Sequence, residues 1–495
     1  MRPSRSVPPH QPSYMSKLKR NLVWNTLLTI SGYIFPLLTF PYVTRVLGAE
    51  NFGMANFALS VVDYAILFSM LGITAIGARY IPQCNEDKEK RDEVFSRLVT
   101  IHILLSVAIL FIYTACVFLV PELAGHKVLY FVGASKIVVN IFLVEWLFQG
   151  MQDFRYITLR TLVIRTLYVA SVFIFVRKSE DYDNYFYVTI AQVALNAAIN
   201  WKYARKYVTF KFSLKGVKEY VFPVFSMGIN RILLSFYVTF NPIFLGLLCG
   251  NEAVGHFSVA TRLYGIFLSF LGAYNGVFVP HLNSLLGKND LPQFRKMVGL
   301  SFEIVSFVAI PIVILGTCLA PEIIRLLAGA GYERAVLPFQ IVLWQVLFVG
   351  LAQILENQIL LSMKKFKEVL TCTAICTTLS VLILLFFTRR YAEVASAYAV
   401  AIPHFLEAFL LYYYAQKAIP MNFPVRRYVI TTLACLPMAG ICIASKTIWT
   451  DYRLILAICL TASVIYYLTV MCLVVKDQFL ISQLKRIPIP GMKST

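Results

Sequence analysis

The chain has 495 residues, of which 59% are hydrophobic and 14% charged, against roughly 25% charged residues in an average soluble protein. A membrane-crossing helix needs about 20 mostly apolar residues, so this composition predicts a dozen or more crossings and excludes a large soluble catalytic domain. The net charge of +20 is expected of a membrane protein, because Lys and Arg accumulate in cytoplasmic loops, and it requires no nucleic-acid partner.

Apolar runs bounded by charged residues, proline or glycine predict an all-α membrane protein with about 14 transmembrane helices. In chain order we expect these spans at 21–47, 53–80, 94–120, 128–150, 157–176, 185–204, 222–248, 255–283, 297–320, 336–361, 369–388, 393–415, 428–446 and 454–475. The ten cysteines lack the spacing of a metal site, and we expect no cofactor.

The basic residues predict the orientation of the chain in the membrane. If the N-terminus is cytoplasmic, the inner segments carry 31 Lys and Arg residues and the outer loops carry ten. Because positively charged loops resist translocation, this ratio favours cytoplasmic termini.

The spans group into two sets of six and a final pair. The predicted organisation is a disordered cytoplasmic tail (1–20), an N-lobe (21–205), a basic cytoplasmic connector (206–221), a C-lobe (222–416), spans 13 and 14 (428–475) and a cytoplasmic tail (476–495).

Weak internal similarity supports a parallel duplication of the first twelve spans. At an offset of 202, the turn after span 1 matches the turn after span 7 at Gly48, Glu50, Gly53, Ala58 and Phe68 against Gly250, Glu252, Gly255, Ala260 and Phe270. At an offset of 212, Met151 and Phe154 match Met363 and Phe366.

The opening of the chain carries a family resemblance. Residues 35–53 read F-P-x-x-T-F-P-Y-V-T-R-V-L-G-A-E-x-F-G, followed by Asn56, Ser60, Tyr64 and a Gly77-x-Arg79 motif. This run resembles the Wzx-type flippases of O-antigen and capsule repeat units. They form the polysaccharide transporter branch of the multidrug/oligosaccharidyl-lipid/polysaccharide (MOP) superfamily.

The resemblance implies a MATE-like fold of two six-helix lobes around a polar cavity, with a C-terminal two-helix hairpin. It also implies a function, which is to move an undecaprenyl-pyrophosphate-linked oligosaccharide from the inner to the outer leaflet by alternating access. The expected partners are this glycan, the bilayer, and polymerase and chain-length proteins of surface polysaccharide synthesis, and no catalytic residue is expected.

Charged residues inside predicted spans point to the substrate pathway, because an ionised group at the centre of a lipid-facing helix costs roughly 2.5–3.5 kcal/mol. The cations are Lys136, Arg165, Arg231 and Arg262. Anions at comparable depth are Asp63, Glu303 and Glu407, with Glu145 and Glu356 closer to the cytoplasmic ends.

Helical spacing puts polar residues together on single faces. Asn56, Ser60 and Asp63 share one face, as do Lys136 and Asn140, while Asn230 precedes Arg231. Two roles stay open for the cations: a positive cavity for pyrophosphate and acidic sugars, or interhelical bridges to the carboxylates.

Buried carboxylates could also carry a coupling ion, either H⁺ or Na⁺. Asp63 and Glu407 are the preferred candidates, with Glu303 as a third and His404 one turn from Glu407. A structural interhelical hydrogen bond is the alternative role for such residues.

Other functions share parts of this pattern. A lipid II flippase also has fourteen spans and an Arg-bearing cavity, and it stays the main alternative. A multidrug/cation antiporter of the same superfamily usually has twelve spans and an acidic cavity, so four intramembrane cations argue against it. A Wzy-type polymerase needs a large outer loop, which this sequence lacks, and a structural scaffold would have no use for desolvated charges.

Overall fold

The computed structural model describes residues 11–84, 87–473 and 475. These residues are helical and contain no β-strand, which confirms the all-α prediction. Residues 11–20 were expected to be disordered, but they continue the first helix. The rest of the predicted tails, 1–10 and 476–495, lies outside the described residues.

The chain divides into two compact units, Met1–Leu247 (unit 1) and Leu248–Thr495 (unit 2). The predicted division at 206–221 differs from this boundary and stays a prediction. The described helices of unit 1 are α1 (Gln11–Met70), α2 (Ile73–Tyr80), α3 (Lys88–Leu119), α4 (Pro121–Ala124), α5 (Lys127–Asn140), α6 (Glu145–Gly150), α7 (Phe154–Phe175), α8 (Tyr182–Ala204), α9 (Lys218–Val238) and most of α10 (Phe240–Cys249).

The described helices of unit 2 are α11 (Asn251–Gly287), α12 (Leu291–Cys318), α13 (Ala320–Leu327), α14 (Val336–Leu343), α15 (Gln345–Gln353), α16 (Phe366–Ala418), α17 (Val425–Ile448) and α18 (Tyr452–Leu473). A π-helix, Ile354–Leu360, follows α15 directly. Such wide turns are rare and occur frequently at functional sites.

Two long helices each consist of two helices joined at a single residue. Helix α1 breaks at Gly48 (φ 72°, ψ 174°), and α16 breaks at Ala392 (φ 43°, ψ −123°). Both breaks fall between predicted spans. The Gly48 conformation is essentially restricted to glycine, because a Cβ atom would clash with the backbone there.

Backbone conformation supports the duplication. Gly250, immediately before α11, has φ 85° and ψ 178°, which nearly reproduces Gly48. Gln152 and Lys364 have φ 56° and 61°, and each stands two residues before a helix, α7 and α16. Because these pairs keep the offsets of 202 and 212 found in the sequence, both matched turns are repeated in structure as well.

Each unit has its own hydrophobic core. In unit 1, Phe95, Trp146 and Phe148 are fully buried, and Gly77 of α2 packs so closely on the Trp146 indole that a Cβ there would collide with it. In unit 2, one cluster joins α12, α15 and α16, and another joins α12 to α17 and α18. The final helix pair is thereby attached to the rest of unit 2.

The outer surface is apolar, as in a protein surrounded by lipid. Phe222 is 80% exposed, Leu119 79% and Phe111 78%. Within the described residues, nine helices are long and apolar enough to cross a membrane, or up to ten if the bent pair α9–α10 is counted as one span. The chain is a multi-pass membrane protein, and the count of fourteen stays a prediction.

Candidate substrate and ion pathway

The second part of α1 carries a polar face formed by Asn56, Ser60 and Asp63. Asn56 is buried, and its side-chain amide donates a hydrogen bond to the backbone carbonyl of Phe52 at 2.6 Å. Ser60 is half-buried, whereas the Asp63 side chain is 49% exposed. The face therefore becomes more accessible towards its charged end.

Lys136 of α5 forms an ion pair with Asp63, with 2.5 Å between Nζ and Oδ1. Its side chain is only 10% exposed, so the cation is enclosed and the carboxylate is the accessible partner. Asn140, one turn further along α5, is also buried, and its Nδ2 lies 3.7 Å from the sulfur of Met70. The structure thus places Lys136 in an interhelical bridge, the second of the two roles left open by the sequence.

Arg165 of α7 contacts α1 through neutral groups. Its guanidinium donates to the Leu28 carbonyl at 3.1 Å and to the Ser31 hydroxyl. Both acceptors lie in the first part of α1, so Arg165 joins the two helices through hydrogen bonds to uncharged groups. This anchoring role differs from both roles considered in the sequence.

Arg231 of α9 differs from the other two candidate cations of unit 1, Lys136 and Arg165, because its side chain is exposed. No group in the described part of the chain forms a hydrogen bond or ion pair with its guanidinium. The neighbouring Asn230 lies in α9, but its side chain falls outside the described residues. An exposed cation on an apolar helix is suited to water or to an anionic ligand.

Two candidates in unit 2 carry opposite charges. Arg262 of α11 is half-buried, one turn after the buried Ser258, and lies close enough to the fully buried Tyr332 to act on its phenol electrostatically. Glu303 of α12 is half-buried, and its carboxylate has no hydrogen-bond or ion-pair partner among the described residues. Both residues are partly accessible, as a pathway requires.

His404 and Glu407 of α16 come together as their spacing predicts, with 3.0 Å between Nδ1 and Oε2. The side chains are 17% and 8% exposed. Glu356 of the π-helix lies close enough for its carboxylate to repel that of Glu407. Two carboxylates and one imidazole therefore share an enclosed region of unit 2.

Sequence reasoning missed a buried ionic cluster in unit 1. The Arg160 guanidinium is 4% exposed, contacts the Glu145 carboxylate at 3.2 Å and donates to the amide oxygen of Asn200. Arg160 lies near the start of the predicted span 157–176 and is not counted among the intramembrane cations, but α7 begins at Phe154 and carries Arg160 into the bundle. The available signal was the apolar run on both sides of Arg160.

A network of neutral polar side chains in unit 2 was also missed. Asn275 of α11 donates to the side-chain oxygen of Gln353 at 2.6 Å, and its own oxygen accepts from Gln358 at 2.8 Å. The hydroxyl of Ser301 donates to the Gln358 oxygen at 2.8 Å. The signal was a set of amides inside apolar runs, which a survey limited to charged residues passes over.

Comparison with known proteins decides the family. Residues 18–286, more than half of the chain, match the family described as polysaccharide biosynthesis protein. The chain belongs to this family. A second match, to the lipid II flippase MurJ family, covers residues 247–427.

Relatives of this polysaccharide biosynthesis protein include proteins named "Putative O-antigen transporter". The relative from Escherichia coli (strain K12) is 26% identical over 398 residues, covering 77% of this chain and 92% of its own. The relative from Shigella flexneri is 22% identical over 414 residues, covering 79% and 96%. The similarity therefore extends over nearly the whole length of these relatives.

Solved structures identify the fold of this family member. The lipid II flippase MurJ in an inward closed conformation has a TM-score of 0.74 at 16% identity, covering 92% of this chain and 100% of its own. A MATE protein in complex with MaD3S has a TM-score of 0.54 at 13% identity, covering 81% and 96%. These likenesses confirm the MATE-like fold expected from the resemblance to the MOP superfamily.

Proposed function

We propose that the protein is a flippase that moves an undecaprenyl-pyrophosphate-linked oligosaccharide repeat unit from the inner to the outer leaflet of a bacterial plasma membrane. The transported unit would serve surface polysaccharide synthesis, as O-antigen, capsule or exopolysaccharide. The observation that carries this proposal is the similarity to O-antigen transporter relatives over nearly their whole length.

The substrate poses a charge problem that the exposed cations can solve. A pyrophosphate cannot enter hydrocarbon without compensation for its negative charge, and a guanidinium compensates it through paired hydrogen bonds. Arg231 is exposed without a protein partner in the described chain, and Arg262 is half-buried. We assign these two residues to pyrophosphate binding, with Lys136 and Arg165 as structural supports.

Substitution of the two arginines tests this assignment. Arg231→Ala and Arg262→Ala should each reduce surface glycan at least tenfold at nearly normal protein abundance, because the anion loses its partner. Arg→Lys at the same positions should restore part of the export if point charge suffices. Arg155→Ala, an exposed arginine at the start of α7, is the control and should export normally. Full export by both alanine variants would contradict the assignment.

The mechanism we propose is alternating access coupled to H⁺ or Na⁺. Glu407 and Glu356 lie close enough to repel each other, so binding of a cation by one of them would relieve this repulsion, and the His404 imidazole lies 3.0 Å from the Glu407 carboxylate. Asp63 is less suited because Lys136 already neutralises it, and Glu303 stays a further candidate. In proteoliposomes, Glu407→Gln should transport substrate at a rate that no longer responds to an imposed pH or Na⁺ gradient. An unchanged gradient response would remove Glu407 from this role.

A lipid II flippase is the second candidate, favoured by the match of residues 247–427 to the MurJ family. Deletion of the gene followed by lipid extraction separates the two functions. Accumulation of a lipid-linked oligosaccharide in the inner leaflet, with loss of surface glycan, is expected of the proposed flippase. Normal surface glycan with arrested peptidoglycan synthesis would establish the lipid II function instead.

Location and partners follow from the proposed function. Both termini would be cytoplasmic, as the distribution of Lys and Arg favours. The flippase would deliver its product to polymerase and chain-length proteins at the outer face, and it would act as a transporter without a catalytic nucleophile. Cysteines introduced as Arg155→Cys and Arg453→Cys test this topology. A membrane-impermeant thiol reagent should label position 155 from the cytoplasmic side and position 453 from the outer side.

A further inference from the structure

Unit 2 contains a cavity of about 1090 Å³ beside the π-helix. It lies at the end of unit 2 that carries the turns after α11 and after the π-helix, which is the cytoplasmic end in the orientation predicted from the distribution of Lys and Arg. Side-chain amides dominate its polar wall, which includes Asn275, Asn283, Gln353, Asn357, Ser362 and Lys364.

Several of these amides have hydrogen-bonding capacity left over. Within the described chain, the side chains of Asn283 and Asn357 form no hydrogen bond, and Gln353 uses only its oxygen, which accepts from Asn275 at 2.6 Å. In a membrane protein, such groups need water or a polar ligand, because lipid offers no partner. The cavity therefore combines amides that have unused hydrogen-bonding capacity with an apolar wall that includes Val279, Leu286 and Leu361.

The chemistry of the wall restricts the ligand. An amide presents a donor and an acceptor side by side, which complements neighbouring hydroxyl groups that also donate and accept. Among the described residues, no carboxylate lines the cavity, and Lys364 is the one charged residue of its wall. The ring of Phe366 adds a flat apolar surface, against which the C–H face of a sugar ring can pack.

Helix geometry explains how the amides converge. The π-helix Ile354–Leu360 widens the turn after α15, and Gln353, the last residue of α15, stands four residues before Asn357 in the middle of the π-helix. In this wider turn, Gln358 is directed to Asn275 and Ser301, at 2.8 Å from each. The buried network thus fixes Asn275, while Gln353 and Asn357 are left on the cavity wall.

We propose that this cavity is a sugar-binding subsite that recognises uncharged, hydroxyl-rich residues of the glycan. The subsite rests on the proposed flippase function and extends it, because it separates recognition of the sugars from neutralisation of the pyrophosphate. Binding strength then depends on the identity of the sugars, with Asn283, Gln353 and Asn357 as specificity-determining residues.

The test measures how much the sugars add to binding. Purified full-length protein in nanodiscs is titrated with two probes: undecaprenyl pyrophosphate, and the lipid-linked repeat unit extracted from the deletion strain. The Kd of undecaprenyl pyrophosphate divided by the Kd of the lipid-linked repeat unit reports the contribution of the sugars. Asn357→Leu should reduce this ratio at least tenfold without changing the Kd of undecaprenyl pyrophosphate, because it removes an amide and fills part of the cavity.

Two further variants make the result decisive. Asn283→Leu changes an exposed residue, so this variant should fold even if Asn357→Leu does not. It should also reduce the Kd ratio. Asn196→Leu in α8 is the control, and its ratio should equal that of the wild type.

Each remaining outcome has one meaning. An unchanged ratio in both cavity variants would overturn the subsite, and so would a wild-type ratio of one. Failure of the wild type to bind either lipid would instead contradict the flippase function itself.

Discussion

Units 1 and 2 share a turn, which follows predicted span 4 in unit 1 and predicted span 10 in unit 2, but the side chains behind this turn differ. In unit 1, Glu145 and Arg160 form an enclosed ion pair. At the offset of 212, their counterparts in unit 2 are Asn357, on the wall of the cavity, and Cys372, fully buried. A duplicated backbone thus carries an ion pair at these two positions in one unit, and an amide and a thiol at the matched positions in the other. The difference indicates that the turn belongs to the scaffold and that function resides in the side chains behind it.

The largest effect should come from removing one partner of the Glu145–Arg160 ion pair in unit 1. Glu145→Ala leaves the Arg160 cation buried without its carboxylate, and loss of one partner of a buried pair costs about 3 kcal/mol. Asn357→Ala, the matched change in unit 2, should cost about 0.5 kcal/mol or less, because that amide bonds to no protein group in the described chain. Thermal unfolding of both variants in one detergent checks the contrast. Equal destabilisation by Glu145→Ala and Asn357→Ala would contradict the difference described here between the two matched positions.

A medium and equal effect is expected at the two glycine turns. Gly48→Ala and Gly250→Ala should each lower the free energy of unfolding by about 1–3 kcal/mol, because both residues have backbone angles that residues other than glycine rarely adopt. Apart from the adjoining residues of the chain, no described residue comes within 4 Å of an added Cβ at either site, so the cost comes from the local backbone conformation alone. Gly440→Ala, in the open interior of α17, is the control and should stabilise slightly. A large loss at one turn and none at the other would argue against the duplication.

The smallest effect concerns the second pair of matched turns. Gln152 and Lys364 both have left-handed backbones, at φ 56° and 61°. Glycine at either position relieves the backbone strain but raises the conformational entropy of the unfolded chain. Gln152→Gly and Lys364→Gly should therefore each raise the free energy of unfolding by about 0.5 kcal/mol. Matching upward shifts of the thermal midpoint would sharpen the equivalence, whereas shifts of opposite sign would weaken it.

The sequence could predict what depends on local periodicity. Helical spacing puts Asn56, Ser60 and Asp63 on one face, and the glycine at 48 marks a helix break. The partner of Lys136 could not be derived in this way, because Asp63 lies 73 residues away and several carboxylates were equally available. Pairing across helices depends on packing, which one sequence does not specify.

Two further features escaped for different physical reasons. Arg160 lies near a predicted boundary, and a shift of a few residues decides whether a cation stands in a loop or inside the bundle. The amides around Asn275 carry no net charge, so neither hydropathy nor charge sorting separates them from ordinary helix residues. Their significance appears only when three helices bring them together around a cavity.

The glycine breaks also restrict the mechanics of transport. The two parts of α1 are joined by one residue, and consecutive α-carbons lie only about 3.8 Å apart. The connection has no slack, so the two helices cannot slide lengthwise past each other. A conformational cycle must therefore turn them as a linked pair about a pivot at Gly48, and the same constraint applies to the helices that meet at Gly250.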